Sequence, residues 1–333
     1  MSVGISFAAF VVGAIISLAT SWVLVSRLER VGERFGLSEA MLGLVAALAA
    51  DAPEITASVT ALLHHQRTIG AGVVIGSNVF NLAALLGLGA VVAGGIVLHR
   101  KVVVLGGTVA VFMATVCVLT VAGVVPLAVG LVLVLVVLVA YAVVLGARRR
   151  VLAVLPLPAP WSTWLTTAIV EEEAELEGAI RPQRGTNKDV TSALGALVVV
   201  VVASAAMEQG ASTLGRHYGV AEIVVGGLVL AAVTSLPNAV AAVFLARKGR
   251  GAAALSTALN SNTINVAAGL LIPAAFIGLA KPSASGLLVA GWYVGLTVLT
   301  LVLAYFGRGL RRWSGWMIIL AYAVFVGVVL TTA

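Results

Sequence analysis

The chain has 333 residues, of which 61% are hydrophobic and only 10% are charged. A soluble domain carries about 25% charged residues, so this composition excludes an ordinary soluble domain and a disordered chain. The formal net charge of +7 does not indicate a nucleic-acid partner, because the basic residues lie between long apolar runs. The sequence therefore predicts an all-α membrane protein embedded in the lipid bilayer.

Ten apolar segments are long enough to cross a membrane, since a spanning helix needs about 20 mostly apolar residues. The weakest separation is the one at 122–124, where only Gly123 and Pro126 mark a break. The ten expected spans cover residues 3–26, 40–63, 70–94, 102–122, 124–146, 190–213, 221–246, 251–277, 285–306 and 314–332.

The basic residues predict the orientation of these spans. Ten spans leave nine loops on alternating sides; 17 of the 20 Lys and Arg residues fall on one side, and only Arg67, Arg216 and Lys281 fall on the other. Because cytoplasmic loops are enriched in Lys and Arg, both termini are expected outside and the 148–189 loop in the cytoplasm. The 16 Arg against 4 Lys, with abundant Ala, Val and Gly, favour a prokaryotic plasma membrane.

The long polar loop divides the chain into two halves, 1–147 and 190–333, joined by a 148–189 linker. The linker carries prolines and an acidic run at 171–177, which we interpret as a solvated surface segment. Five spans lie on each side of it. An odd number of spans per half makes the second half enter from the opposite side, which predicts two inverted five-helix repeats.

Internal similarity at a constant offset of 184 residues supports this duplication. Polar, broken helices at matching places in inverted repeats are typical of secondary transporters. The matching elements are Gly43-Leu44-Val45 with Gly227-Leu228-Val229, Pro53 with Pro237, Ser77-Asn78 with Ser261-Asn262, and Asn81 with Asn265.

Two carboxylates fall near the centre of the second expected span. Asp51 and Glu54 are spaced i, i+3, which places them on one helical face, and a carboxylate at this depth costs at least about 2.5–3.5 kcal/mol. Pro53 between them and Pro237 in the seventh span lack an N–H and interrupt their helices. The other eleven acidic residues are expected in loops, in the linker or near span ends, in contact with water.

Further polar residues lie at the same depth on three other expected spans. The set is rich in oxygen and holds no His or Cys, which favours hard cations such as Ca²⁺, Na⁺ or Mg²⁺. We also keep the alternative that Asn78 and Asn262 only brace their helices. The set comprises Ser77, Asn78, Asn81, Thr234, Ser235, Asn238, Asn260, Ser261, Asn262 and Asn265.

Four stretches of these polar residues resemble the two α-repeats of the calcium/cation antiporter superfamily, which includes the sodium/calcium exchangers. They are ADAPE at 50–54, GSNVFN at 76–81, TSLPN at 234–238 and NSNTIN at 260–265. The resemblance implies a ten-helix exchanger, not an enzyme, with a cation site between the second, third, seventh and eighth helices. It also implies that the first and sixth helices slide over this core.

Carried over position by position, the resemblance implies a set of cation-binding residues. Pro53, Pro237, Asn78 and Asn262 would support the helix breaks. The sequence departs from the family pattern at Ala50-Asp51, at Asn238, at Asn260 and at Asn265, and the last of these stands where an acid often occurs. The implied cation-binding residues are Asp51, Glu54, Ser77, Asn81, Thr234, Ser235, Asn238, Ser261 and Asn265, of which Asp51, Glu54, Asn81, Asn238 and Asn265 would contact the metal ion.

The charge of this site limits its cargo. Asp51 and Glu54 supply at most two negative charges, which one Ca²⁺, two protons, or one or two Na⁺ would neutralise. We expect Ca²⁺ export in exchange for H⁺ or Na⁺, with the transported ions as ligands and no cofactor. The alternative is a Na⁺/H⁺ or Mg²⁺ exchanger of the same fold that does not carry Ca²⁺.

An enzyme or a channel is disfavoured, because the chain has no hydrolase motif and no filter-like loop.

Overall fold

The computed structural model describes residues 2–37, 39–146, 163–168 and 185–332, together with residues 160 and 170. The acidic run at 171–177 lies outside these described residues. The described chain is mostly helical, as expected.

The first half consists of six helices and one short strand. The helices are α1 (Val3–Arg34), α2 (Glu39–Ala50), α3 (Ala52–Leu63), α4 (Arg67–Ala93), α5 (Arg100–Val121) and α6 (Leu127–Gly146), and strand β1 (Gly95–Val97) lies between α4 and α5.

The second half repeats this order. Its elements are α7 (Asn187–Tyr218), α8 (Glu222–Thr234), α9 (Leu236–Arg247), α10 (residues 251–277, built from Gly251–Ile264, Asn265–Leu271 and Ile272–Ile277), α11 (Ala284–Gly307), β2 (Gly309–Arg311) and α12 (Arg312–Thr332). Strand β2 pairs antiparallel with β1, so this two-stranded ribbon joins the halves.

Seven helices in the described part of the chain are long and apolar enough to cross a membrane. The pairs α2–α3 and α8–α9 raise this number to nine if each bent pair is one span. The tenth expected span, 251–277, is helical as α10 but is less apolar than the others, because amides and hydroxyls fill its middle. The break expected at Gly123 is confirmed: Gly123 has a φ of +72° between α5 and α6.

The two bent pairs have the same local geometry. Asp51 separates α2 from α3 with φ −80° and ψ −4°, and Ser235 separates α8 from α9 with φ −82° and ψ −4°. The bends are 49° and 47°. Pro53 and Pro237 lie in the first turn of the following helix, where the missing proline N–H is tolerated. Asp51 and Ser235 are themselves 184 residues apart, so the repeat seen in the sequence extends to the backbone.

Two π-helical segments follow the same pattern. Leu82–Leu88 interrupts α4, and Asn265–Leu271 interrupts α10. A third segment, Val225–Leu230, lies in α8. π-Helical segments are rare in proteins, and those that do occur are often found at functional sites. Apolar periodicity does not reveal them, and the sequence did not predict them.

Helices α1 and α7 pack closely along much of their length. A Cβ atom at Gly13 would lie 2.7 Å from the Ala203 carbonyl oxygen. The buried hydroxyls of Ser17 and Ser204 are hydrogen-bonded at 2.6 Å. Small residues at a helix interface allow this approach, which van der Waals packing then stabilises in lipid. Helices α1 and α7, one from each half, therefore form a single packed pair.

Glycine also brings α4 against α8. A Cβ atom at Gly76 would lie 2.2 Å from the carbonyl oxygen of Gly227, and one at Gly72 would lie 3.0 Å from the Gly227 nitrogen. Only residues without a side chain permit this contact. It places the polar residues that follow Gly76 beside the second half.

We expect Gly76→Ala to destabilise the protein by roughly 1–3 kcal/mol, because the added methyl group overlaps backbone that cannot move aside cheaply. Thermal unfolding of the purified protein in detergent measures this. Gly291→Ala is the matched control, since a Cβ there meets nothing within 4 Å. Equal unfolding temperatures for the two variants would contradict the packing described for α4 and α8.

Candidate cation site

The candidate site lies where the helix breaks meet. Asp51 occupies the first break, and Glu54 lies in the first turn of α3. Both carboxylates are 0% exposed. A buried carboxylate is stable only when donors, protons or cations match its charge, so the contacts of these two side chains determine what the site can do.

Glu54 receives two hydrogen bonds from the second half. The Ser235 hydroxyl, in the break between α8 and α9, donates to Oε1, and the Asn265 amide, at the start of the α10 π-helical segment, donates to Oε2. Both carboxylate oxygens therefore have a donor.

Asp51 receives its two hydrogen bonds at a single oxygen. The Asn238 amide and the Ser261 hydroxyl each lie 2.6 Å from Oδ1. Charge-assisted hydrogen bonds of this length are among the strong ones in proteins. The carboxylates come from the first half, and all four of these donors come from the second.

Four asparagines form a reciprocal network beside the carboxylates. The Asn78 amide donates to the Asn262 backbone oxygen at 3.2 Å, and the Asn262 amide donates to the Asn78 backbone oxygen at 3.0 Å. In the same manner, Asn81 donates to Asn262 Oδ1 at 3.1 Å and Asn265 donates to Asn78 Oδ1 at 3.3 Å. Each bond has a counterpart shifted by 184 residues, which is the pattern that an approximate two-fold relation produces.

Three buried oxygens at this centre have no hydrogen-bond partner among the described residues: Asp51 Oδ2, Asn81 Oδ1 and Asn265 Oδ1. Buried polar atoms are normally paired, so each exception requires an explanation. Carboxylate and amide oxygens are ligands of hard cations. The described part of the chain has no cluster of three or more His, Cys, Asp or Glu that could hold a metal ion, so carboxylates alone do not form the site.

Two hydroxyls that the sequence placed among the ligands bond instead to helix α8. Ser77 Oγ lies 3.5 Å from the Ala231 carbonyl oxygen, and Thr234 Oγ1 lies 2.9 Å from the Leu230 carbonyl oxygen. Both are fully buried. The Ser77 bond ties α4 to α8, whereas the Thr234 bond lies within α8. In this conformation no hydrogen bond links either hydroxyl to Asp51 or Glu54.

Sequence reasoning missed Ser58, which is fully buried one turn after Glu54. Its hydroxyl lies 2.9 Å from the Gly70 carbonyl oxygen and 2.8 Å from the Gly269 carbonyl oxygen. It therefore joins α3 to α4 and to the π-helical part of α10. Its i, i+4 spacing from Glu54 is the signal that could have identified it.

The expectation of water contact is wrong for two of the other acidic residues. Asp189 is only 6% exposed, because Arg27 and Thr186 bond to it at the start of α7.

Glu208 on α7 was expected in water near a span end, but its side chain is 0% exposed. With its amide suitably oriented, Gln66 donates to Glu208 Oε1 at 3.0 Å and accepts from Arg216. The close packing of α7 against the first half covers this carboxylate, and an apolarity profile does not contain that information.

A partly open cavity of about 330 Å³ reaches the site between α1, α2, α9 and α10. Ala50, which precedes Asp51, and Asn238, which donates to Asp51, lie on its wall. Ser21, Glu29 and Thr257 also line it. The cavity therefore extends from residues beside the carboxylate centre to Glu29 on α1 and Leu245 on α9, each of which lies within two residues of an arginine in the sequence.

A family profile described as "Sodium/calcium exchanger protein" matches residues 5–148 and 190–331, which is most of the chain.

Curated relatives match at low identity. The chain is 35% identical to "Putative antiporter CaxA" of Alkalimonas amylolytica over 88 residues, which are 26% of this chain and 28% of that protein. It is 28% identical to "Sodium/potassium/calcium exchanger 1" of Mus musculus over 54% of this chain and only 16% of that protein. "Inner membrane protein YrbG" of Escherichia coli (strain K12) is 26% identical over 80% of this chain and 78% of that protein.

Solved structures share the fold over nearly the whole chain. The sodium-calcium exchanger NCX_Mj superimposes with a TM-score of 0.63 at 20% identity, covering 98% of this chain and 99% of that one. The H⁺/Ca²⁺ exchanger CAX superimposes with a TM-score of 0.69 at 12% identity, covering 98% and 86%. By its sequence profile, the chain belongs to the sodium/calcium exchanger protein family of the calcium/cation antiporter superfamily.

Proposed function

We propose that this protein is a secondary active antiporter that exports Ca²⁺ in exchange for H⁺ or Na⁺ around the site at Asp51 and Glu54. One observation carries the proposal. Two fully buried carboxylates and the neighbouring Asn81 and Asn265 together hold three buried oxygens that have no hydrogen-bond partner among the described residues. Oxygen ligands of this kind, with two negative charges, match one divalent hard cation.

The proposed architecture has ten spans in two inverted five-helix repeats, in which α10 is a span despite its polar middle. The matched bends at Asp51 and Ser235 support the repeat. The sorting of Lys and Arg supports a topology with both termini outside and the 148–189 loop in the cytoplasm. The likeness to an E. coli protein named as an inner membrane protein supports a prokaryotic plasma membrane.

The hydrogen bonds of the site suggest how a cation enters. In the described conformation the amide nitrogens of Asn238 and Asn265 point at the carboxylates. The side-chain amide of an asparagine carries both an NH₂ donor and a carbonyl oxygen acceptor. When a cation arrives, rotation of these amides would exchange a donated bond for an oxygen ligand. Cation binding and the hydrogen-bonded cation-free state then exclude each other.

Alternating access follows from the cavity and the packed helix pair. The cavity extends from Asn238 to Glu29 and Leu245, which lie near arginines of α1 and α9 in the sequence, and this supports an inward-facing state for the described conformation. Movement of α1 together with α7 would close this cavity and open a path from the other side. The close contact of Gly13 with Ala203 and the Ser17–Ser204 hydrogen bond favour movement of these helices as one unit.

The small number of carboxylates also supports a second candidate, a Na⁺/H⁺ or Mg²⁺ exchanger of the same fold. Asn238 donates to Asp51 at the position where the family pattern has a glutamate. Calorimetric titration of the purified protein with Ca²⁺, Mg²⁺ and Na⁺ separates the two candidates. Ca²⁺ binding supports the first, and binding of Na⁺ or Mg²⁺ without Ca²⁺ supports the second.

We expect Glu54→Gln to abolish gradient-driven Ca²⁺ uptake into reconstituted vesicles, because it removes one of the two charges that neutralise the cation. The measurement is uptake of radioactive Ca²⁺ under imposed H⁺ and Na⁺ gradients. Glu222→Gln is the control, since Glu222 is an exposed carboxylate at the start of α8. The proposal fails if the wild-type protein shows no gradient-dependent flux or if Glu54→Gln transports equally well.

We expect Asn238→Asp to make stability depend more strongly on divalent cations. The substitution replaces a donor 2.6 Å from Asp51 Oδ1 with a like charge, which destabilises the cation-free state. A bound cation stabilises only the folded state. At about pH 8 and in chelator, the variant should therefore unfold at a lower temperature than the wild-type protein. On adding Ca²⁺, its unfolding temperature should rise by more than that of the wild-type protein. Asn187→Asp, at an exposed helix start, is the isosteric control, and identical behaviour of the two variants contradicts this expectation.

A further inference from the structure

The cavity beside the site contains a carboxylate that the proposed exchange centre does not use. Glu29 on α1 lines the cavity, as does Asn238 on α9. Among the residues that the structure describes, Glu29 has no ion pair. The cavity also contains the buried hydroxyl of Ser21, which has no hydrogen-bond partner there.

The neighbouring arginines are directed elsewhere. Arg27 and Arg30 lie 2.7 Å and 3.6 Å from the Asp189 carboxylate. Asp189 also accepts hydrogen bonds from Thr186. These contacts hold the two guanidinium groups at the start of α7. Neither arginine forms an ion pair with Glu29, which lines the cavity without a basic partner among the described residues.

The form of the cavity increases the effect of this charge. Its walls are mostly apolar and include Trp22 and Phe244, which are exposed on the lipid or solvent side. A cleft with low-dielectric walls and one sign of charge concentrates oppositely charged ions. Positions 22 and 29 are seven residues apart, two helical turns, so both lie on the face of α1 that borders the cavity.

Because Glu29, Ser21 and Asn238 all line this one cavity, the first two on α1 and the third on α9, we propose that the cavity holds a second, recruiting cation site, with Glu29 as its carboxylate ligand. The ligand is a hydrated hard cation, which binds here before it passes Asn238 and reaches Asp51 and Glu54. The passage from the recruiting site to the centre rests on the proposed function, whereas binding at Glu29 does not. Glu29 thus contacts the cargo directly and acts on transport by raising the concentration of the cation beside the exchange centre.

Terbium luminescence tests the recruiting site directly. Tb³⁺ takes oxygen ligands as Ca²⁺ does, and a nearby tryptophan sensitises its emission. We expect purified protein to give a saturable Trp-sensitised Tb³⁺ signal that Ca²⁺ displaces. Glu29→Gln and Trp22→Phe should remove most of it, whereas Glu54→Gln and the control Glu33→Gln should retain it. An unchanged signal in Glu29→Gln, or no signal in the wild-type protein, overturns the proposal.

Transport kinetics provide the second readout and separate the two proposals. In inside-out vesicles, Glu29→Gln should raise the half-saturating Ca²⁺ concentration several-fold with little change in maximal rate, and Glu29→Asp should restore much of the affinity. The difference from wild type should shrink at high ionic strength, because salt screens a recruiting charge. Equal half-saturating concentrations overturn the recruiting role and leave the exchange proposal intact. Absence of flux in the wild-type protein, with the Tb³⁺ signal present, overturns the exchange proposal alone.

Discussion

The structure depends on one electrostatic constraint: two carboxylates are buried side by side, and no Lys, Arg or His among the described residues forms an ion pair with either of them. Burying an uncompensated carboxylate is costly, so hydrogen-bond donors must surround Asp51 and Glu54. Ser235, Asn238 and Asn265 supply donors from the second half. The two halves are therefore joined at the point where the charge is buried.

Backbone features bring these donors into reach. Helix breaks at Asp51 and Ser235 bend their helices by nearly equal angles, and the glycine contact between Gly76 and Gly227 removes the side chains that would separate α4 from α8. The reciprocal bonds of the asparagine network each have a counterpart at the 184-residue offset, as an approximately two-fold arrangement around the site would produce. The charge is not symmetric, because both carboxylates belong to the first half. In the proposed mechanism the carboxylates of the first half hold the charge of the cation, while amides of the second half exchange a donated bond for an oxygen ligand.

The sequence predicted those features that depend on a few neighbouring residues, such as the helix breaks. Pro53 and Pro237 predicted the helix breaks, and the constant 184-residue offset anticipated the matched backbone. Prediction was weaker for properties that arise from packing. The burial of Glu208 and the α8 backbone contacts of Thr234 depend on which neighbours cover each helix. The π-helical segments were missed because they change hydrogen bonding without changing apolarity. Ser58 was missed because one hydroxyl in a span is most often a packing contact.

The most direct test of the central claim is the location of a bound cation in a structure determined with Ca²⁺. The account predicts one ion with oxygen ligands at about 2.3–2.6 Å, contacting Glu54 and Asp51 Oδ2, together with the side-chain oxygens of Asn81 and Asn265. At least one amide that now donates to a carboxylate should have turned its oxygen toward the ion. Density for Ca²⁺ only elsewhere in the protein, with the hydrogen bonds to Asp51 and Glu54 unchanged at a Ca²⁺ concentration that supports transport, would contradict it.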